Sequence, residues 1–202
     1  MANDNKRSAV VPMNVAPETV PQTCKTFICF GVARGGTSAV AGVLQRLGVY
    51  MGDNLPNNYE DPQFINKPRE HMLEVIAQRD AQHEVWGWKF PNAANYLDAL
   101  LPSVQNPHLI LVFRDLVATV KAHMRWHNRD QLFAMHDVLI QQQRNWFLTE
   151  RWKLPTALVS YEKAILAPNL FIHEMADFVG LPKPDEEVQS QMVEFLEPGS
   201  YK

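Results

Sequence analysis

Two stretches of the chain carry residue types whose spacing could do chemistry. Between the apolar run Thr26 to Phe30 and the helical run Ala39 to Leu47 stands Gly31-Val32-Ala33-Arg34-Gly35-Gly36-Thr37-Ser38. A glycine turn that joins a strand to a helix brings backbone N–H groups and the positive end of a helix dipole to one point, which suits a phosphate. A nucleoside-triphosphate loop reads G-x-x-x-x-G-K-[ST]. Gly31, Gly36 and Ser38 keep that pattern, but Thr37 stands where the lysine belongs, so the outer phosphates of ATP lose their usual cation. Arg34, inside the loop, suits a different phosphate geometry. The second stretch is Leu109 to Phe113, followed by Arg114-Asp115 and a helical run. A guanidinium at the C-terminal end of a parallel strand points toward the crevice where such sheets bind ligands, and its fork matches phosphate oxygens. The local alternative is an ion pair with Asp115 or Glu162.

Around these lie single candidates. Lys89 follows Trp86-Gly87-Trp88 and is either a site cation or an exposed strand-end charge. Glu60 and Asp61 precede Pro62, and Asp61 is also a natural N-cap for a helix starting there. His71, His123 and His127 are possible bases without a motif. His123 and His127 are spaced i, i+4, but Met124 occupies the position of the metalloprotease glutamate and no third ligand is evident, so no metal is expected. Cys24 and Cys29 are expected as buried thiols, with neither a disulfide framework nor a nucleophile arrangement around them.

The elements that must position these residues alternate β-branched or aromatic runs with segments of helical period, the pattern of βα units around a mostly parallel sheet. Strands are expected at Thr26 to Phe30, Val85 to Phe90, Leu109 to Phe113 and Ala157 to Tyr161. Helices are expected at Thr37 to Leu47, Pro62 to Ala81, Ala93 to Leu101, Leu116 to Trp126, Asn169 to Val179 and Asp185 to Phe195. A further long helix carries Leu132, Met135, Leu139, Gln142, Trp146 and Thr149 as a stripe expected to pack in the core. Trp86, Trp88 and Trp126 are core material by default, with the wall of an acceptor cleft as the alternative. The segment 48–60, rich in Asn, Gly and Pro, is the longest loop, and long loops in compact domains are often functional.

The run Gly31 to Leu47 resembles the 5′-phosphosulfate loop of the sulfotransferase family, commonly G-x-x-[RK]-[ST]-G-T-[ST], with Gly35 in place of the small hydroxyl residue. The strand ending in Arg114-Asp115 resembles the same family's 3′-phosphate segment, strand-R-[DN]-P-x-x-x-x-x-S, with Leu116 for the proline and Ala122 for the serine. Thr119, Lys121 and His123 are the candidates to replace that hydroxyl. Gly48 to Asp53, Trp86 to Lys89 and Val159 to Glu162 are similar to further stretches of bacterial members, in the same order. The resemblance implies a three-layer α/β/α sandwich with a central, mostly parallel sheet, that is, a P-loop NTPase-like sulfotransferase fold. It also implies a reaction: transfer of a sulfuryl group from 3′-phosphoadenosine 5′-phosphosulfate (PAPS) to a hydroxyl or amine. On it, Gly31, Ala33, Arg34, Gly35, Gly36, Thr37 and Ser38 would form the donor loop, and Arg114 would hold the 3′-phosphate. Arg34 and Lys89 would neutralise the reacting group. Glu60 would be the base, with Asp61 or a histidine as alternatives.

Composition bounds the rest. The chain has 202 residues, 46% of them hydrophobic and 20% charged, which is a globular balance without a run long enough to span a bilayer. A formal net charge of -3 argues against a nucleic-acid partner. Residues 1–22 lack the apolar core of a secretory signal and read as a flexible leader, which leaves one domain at 23–202 and a cytoplasmic location. A small molecule, a carbohydrate or a lipid is expected as acceptor. Two other functions stay open on the same fold: a small-molecule P-loop kinase with magnesium-dependent ATP binding, and a non-catalytic nucleotide-binding protein.

Overall fold

The computed structural model describes residues 8–15, 24–127 and 130–197, the side chains of Trp126 and His127 excepted. At its centre the strands β1 (Val10–Met13), β2 (Lys25–Gly31), β3 (Val85–Lys89), β4 (Pro107–Phe113) and β5 (Thr156–Ser160) form one five-stranded sheet in the order β1-β5-β4-β2-β3. All neighbours pair in parallel except β1, which runs antiparallel along β5. The four expected strands are therefore present, and the sheet is mostly parallel.

Strand β1 lies inside the segment that the sequence reads as a leader. Its signal is short and interrupted by Pro12, and proline is tolerated on an edge strand because one row of N–H groups faces outward there. The Glu174 carboxylate holds its start by accepting from the Ala9 and Val10 N–H groups at 2.9 and 3.2 Å. The rest of that leader, residues 1–7 and 16–22, falls outside the described residues.

Alternate residues of each parallel strand point to opposite faces, and each face is buried. Phe27, Cys29, Ile110, Val112, Ala157 and Val159 pack under α1 (Thr37–Arg46), α7 (Pro168–Val179) and α8 (Glu186–Leu196). Ile28, Phe30, Trp86, Trp88, Leu109 and Leu111 pack on the other side. There they meet α2 (Arg69–Gln82), α3 (Leu97–Leu100) and Leu148 of α5 (Gln131–Trp152). This is the expected three-layer sandwich. Trp86 and Trp88 are core, stacked with Phe64.

Three helical expectations need correction. Pro62 to Ala81 is not one helix: a 3-10 turn at Pro62–Phe64 is followed by α2 from Arg69, because Pro68 biases Lys67 away from helical geometry and then starts the new helix. Ala93 to Leu101 is likewise split, into a 3-10 turn at Ala93–Asn95 and the short α3. The third concerns α5. Leu132, Met135, Leu139 and Trp146 are exposed, at 77, 39, 45 and 38%, and do not pack in the core. The inner face is instead Ala134, Val138, Asn145, Leu148 and Thr149. Apart from Leu148, its members are smaller or polar because α5 lies close over the glycine loop and against α4 (Leu116–His127), where Val32, Val120, Ala134 and Val138 share a small core. An additional helix, α6 (Tyr161–Leu166), follows β5 directly. Among the described residues no helix is long and apolar enough to cross a membrane.

Candidate active site at the C-terminal edge of the sheet

The parallel register sets Gly31 beside Val112, Cys29 beside Lys89 and Phe113 beside Ser160, so β2, β3, β4 and β5 end along one edge. That edge gathers the glycine loop, Lys89, Arg114 and Tyr161. In the loop, Gly35 N–H donates to the Val32 carbonyl at 2.8 Å and closes the turn. Gly36 adopts φ +88°, and a Cβ there would stand 2.2 Å from the Tyr161 ring, so both conformation and space require glycine. Arg34 takes φ +63°, a left-handed conformation unusual for a non-glycine residue and frequent where backbone is held for a function. No side chain caps α1, whose N-terminus opens on this loop.

Three side chains hold the loop from outside. Arg114 Nη1 donates to the Arg34 carbonyl at 2.9 Å, and its guanidinium lies 4.8 Å from the Tyr161 ring centre. Its Nε is buried without a hydrogen-bond partner. The local alternative of an ion pair is not what forms: Glu162 accepts from the Asp115 backbone N–H, and Asp115 accepts from Ala118 N–H at the start of α4. His123, 3% exposed, lies with Nε2 2.7 Å from the Ala33 carbonyl, a bond the ring makes by donating from Nε2. Asn145 on α5 donates to the Gly31 carbonyl at 2.7 Å.

Lys89 is buried, 1% exposed, and not a strand-end surface charge. Its Nζ donates to Glu60 Oε1 at 3.0 Å and to the Asn58 carbonyl at 3.0 Å, with Ser38 Oγ at 3.4 Å. Ser38 Oγ in turn donates to the same Asn58 carbonyl at 3.0 Å. Burial pulls the ammonium pKa below its ordinary value, and the Glu60 carboxylate opposes that pull. The structure thus brings Ser38, Lys89 and Glu60 to one point beside the loop. Asp61, by contrast, is turned inward. It accepts from Gln63 N–H as an N-cap and pairs with buried Arg79 at 2.6 Å.

The other candidates separate from this point. His71, on α2, meets Gln63 of the 3-10 turn. His127 lies outside the described side chains, as does Trp126. Of the possible substitutes for a hydroxyl at Ala122, Thr119 donates to the Asp115 carbonyl, His123 is committed to Ala33, and Lys121 is exposed. Burial pushes the Cys29 thiol up to about 12, so it stays protonated. Among the described residues no group of three or more His, Cys, Asp or Glu is placed to hold a metal.

Sequence reasoning passed over Asn58, Asn145 and Tyr161 as functional residues. Asn58 acts through its backbone carbonyl, which no residue type announces. Asn145 is the one amide on the inner face of α5, a signal visible only with the helix correctly phased. Tyr161 sits in the Val159 to Glu162 stretch, where its place after a parallel strand was the available clue.

No protein-family model matches the chain, and no curated protein sequence does. Several solved structures do. The sulfotransferase domain of the Synechococcus PCC 7002 olefin synthase superposes with a TM-score of 0.56 at 16% identity, over 85% of this chain and 78% of that one. Sulfotransferase STF9 of Mycobacterium avium gives 0.58 at 13% identity, over 89% and 69%. Mouse sulfotransferase SULT7A1, solved in complex with PAP, gives 0.58 at 13% identity, over 89% and 67%. The chain therefore has the sulfotransferase fold that its glycine loop and its Arg114 segment implied.

Proposed function

We propose that this protein is a PAPS-dependent sulfotransferase, acting on a hydroxyl or amine acceptor at the edge where Ser38, Lys89 and Glu60 meet. The observation that carries this reading is Lys89: a buried ammonium, aimed at the mouth of a phosphate-type loop, with a carboxylate at hydrogen-bond distance. A P-loop lysine is missing at Thr37, and Lys89 brings a cation to the same hydroxyl, Ser38, from the neighbouring strand. The residues present fit an adenosine bisphosphate moiety at two points. The uncapped start of α1, with Gly36, Thr37 and Ser38, suits the 5′-phosphosulfate. Arg114, with an unpartnered buried Nε, suits the 3′-phosphate. The neighbour solved with PAP supports the same donor class.

When bound, PAPS supplies the sulfuryl group, whose bond to the 5′-phosphate oxygen breaks as the acceptor oxygen or nitrogen bonds to sulfur. This chain's residues then have separate tasks. Glu60 takes the acceptor proton, Lys89 and Arg34 offset charge growing on the departing phosphate oxygen, and the loop N–H groups orient it. His123, Asn145 and Tyr161 position the loop through Ala33, Gly31 and Gly36. The reading places the protein in the cytoplasm, a reducing compartment suited to the free thiols Cys24 and Cys29, and treats β1 together with 23–202 as one domain.

Ser38 and Lys89 are both engaged with the 58–60 segment. An ammonium has three protons, and Lys89 has three acceptors around it, Asn58, Glu60 and Ser38. A phosphosulfate reaches Lys89 only by displacing one of them. Incubation of the protein with PAPS and a mixed pool of hydroxyl and amine acceptors tests the reading through release of adenosine 3′,5′-bisphosphate (PAP). Acceptor-dependent release is the expected result. PAPS binding without release would assign the non-catalytic function instead.

A further inference from the structure

Along the outer face of α5, Leu132, Met135, Leu139, Ile140, Trp146 and Phe147 stand between 38 and 77% exposed. From Leu132 to Phe147 the only Asp, Glu, Lys or Arg residues are Asp137 and Arg144. Seven residues apart, or two turns, these share one edge of the helix and leave the middle of the apolar face uncharged. Arg144 donates there to Asn95, and Asp137 accepts from Gln141. Taking about 150–250 Å² for a whole large side chain, the exposed fractions of the six apolar residues amount to on the order of 600 Å². Single exposed leucines are ordinary, but a contiguous apolar patch of this size marks a place where something docks. The inner face of the same helix holds the glycine loop, through Asn145 on the Gly31 carbonyl and Val138 beside Val32.

The occupant this face fits is a second copy of itself. Leu132 and Phe147, Met135 and Trp146, and Asp137 and Arg144 are pairs that share nearly one midpoint, at Ile140. Two α5 helices set antiparallel about a two-fold axis there bring each residue against the other member of its pair, because an isologous interface places i against j and j against i. Apolar side chains then meet apolar ones, and at the rim Arg144 of each copy comes opposite Asp137 of the other. An interface of standard size buries about 800 Å² on each partner, about 65% of it apolar in homodimers. The outer face of α5 supplies that apolar share. A bilayer is the poorer match. Helices that lie on membranes carry Lys and Arg along their polar face, whereas α5 has no lysine and its Arg144 and Arg151 are bonded to Asn95 and Asp98. We propose that the protein is a homodimer joined antiparallel through the outer faces of α5.

Sedimentation velocity on the full chain at about 10 µM is expected to show the dimer, since interfaces of this size hold at micromolar concentration or below. Leu139→Glu sets like charges against each other near the axis and should raise the dissociation constant at least about 100-fold. Cooperative thermal unfolding should be unchanged in that variant, because the side chain is exposed. Register is read separately with a short bismaleimide. Leu139→Cys should be joined to its counterpart, whereas Leu132→Cys, about 24 Å from its own, should stay at the level of the unmodified protein, whose thiols are Cys24 and Cys29. A monomer at about 100 µM, a dimer that Leu139→Glu leaves intact, or equal cross-linking at Leu132→Cys and Leu139→Cys would each overturn the inference. Flotation of the protein with phosphatidylcholine vesicles, abolished by Leu139→Glu, would also overturn it and give the face to a membrane.

Discussion

Glu60→Gln is expected to slow sulfuryl transfer by a factor on the order of 100 or more while leaving PAP binding at least as tight as in the unmodified protein. The change removes the proton acceptor and keeps an oxygen at the position of Oε1, so Lys89 retains a hydrogen-bond partner. It also removes the negative charge that now competes with an incoming sulfonate for the Lys89 ammonium. Turnover and donor affinity thus move in different ways, which a general loss of structure would not produce. Single-turnover rates beside PAP titration separate the two. Full activity in Glu60→Gln would remove this residue from the mechanism and direct attention to Asp61. Yet Asp61, buried against Arg79 and capping a turn, is poorly placed to exchange protons with an acceptor.

The second large effect is at Lys89. Lys89→Met preserves much of the buried volume and removes the ammonium, and a loss of about 10²- to 10³-fold in kcat is expected, the range seen when one preorganised donor to developing charge is deleted. Donor affinity should fall far less, because the loop N–H groups and Arg114 remain. Glu60, whose side chain is 23% exposed, can turn to water once its partner is gone, so the fold should survive. The decisive readout is leaving-group dependence. A donor analogue with a better leaving group should recover part of the lost rate in Lys89→Met and little of it in Glu60→Gln. Equal recovery in both variants would deny Lys89 the role assigned here.

Much of this arrangement was legible in the chain because its signals are local. Glycines between a β run and a helical run, and an arginine directly after a buried strand, are set by backbone requirements that act over a few residues. The sheet follows from the same logic, since strands covered on both faces read as continuous apolar runs. What remained hidden depends on tertiary contact. The apolar stripe of α5 from Leu132 to Trp146 has helical period but faces outward, and the inner face was fixed by the need to approach Gly31 and Val32 closely with Ala134, Val138 and Asn145. Strand β1 is set by Glu174 and β5, far away in sequence. The pairing of Lys89 with Glu60 required the 48–60 loop to fold back over the sheet edge, an event with no sequence signature.

The loop's departures from the family pattern also find a place. Gly35 is where the turn closes on Val32, and a Cβ there would meet the Val32 carbonyl oxygen at 2.6 Å, so a hydroxyl residue would not fit this particular turn. Among the described residues the candidate hydroxyl to replace one at Ala122, that of Thr119, is engaged with the Asp115 carbonyl. That shifts more of the 3′-phosphate recognition onto Arg114, whose guanidinium is already oriented by the Arg34 carbonyl and the Tyr161 ring.

The central claim is a donor site for a 3′-phosphorylated adenosine nucleotide, and calorimetric titration with PAP tests it without any acceptor. Micromolar binding is expected, at least tenfold weaker in Arg114→Ala and not matched by ATP with or without magnesium. Magnesium-dependent ATP binding with no response to PAP would contradict the account and assign the kinase function in its place.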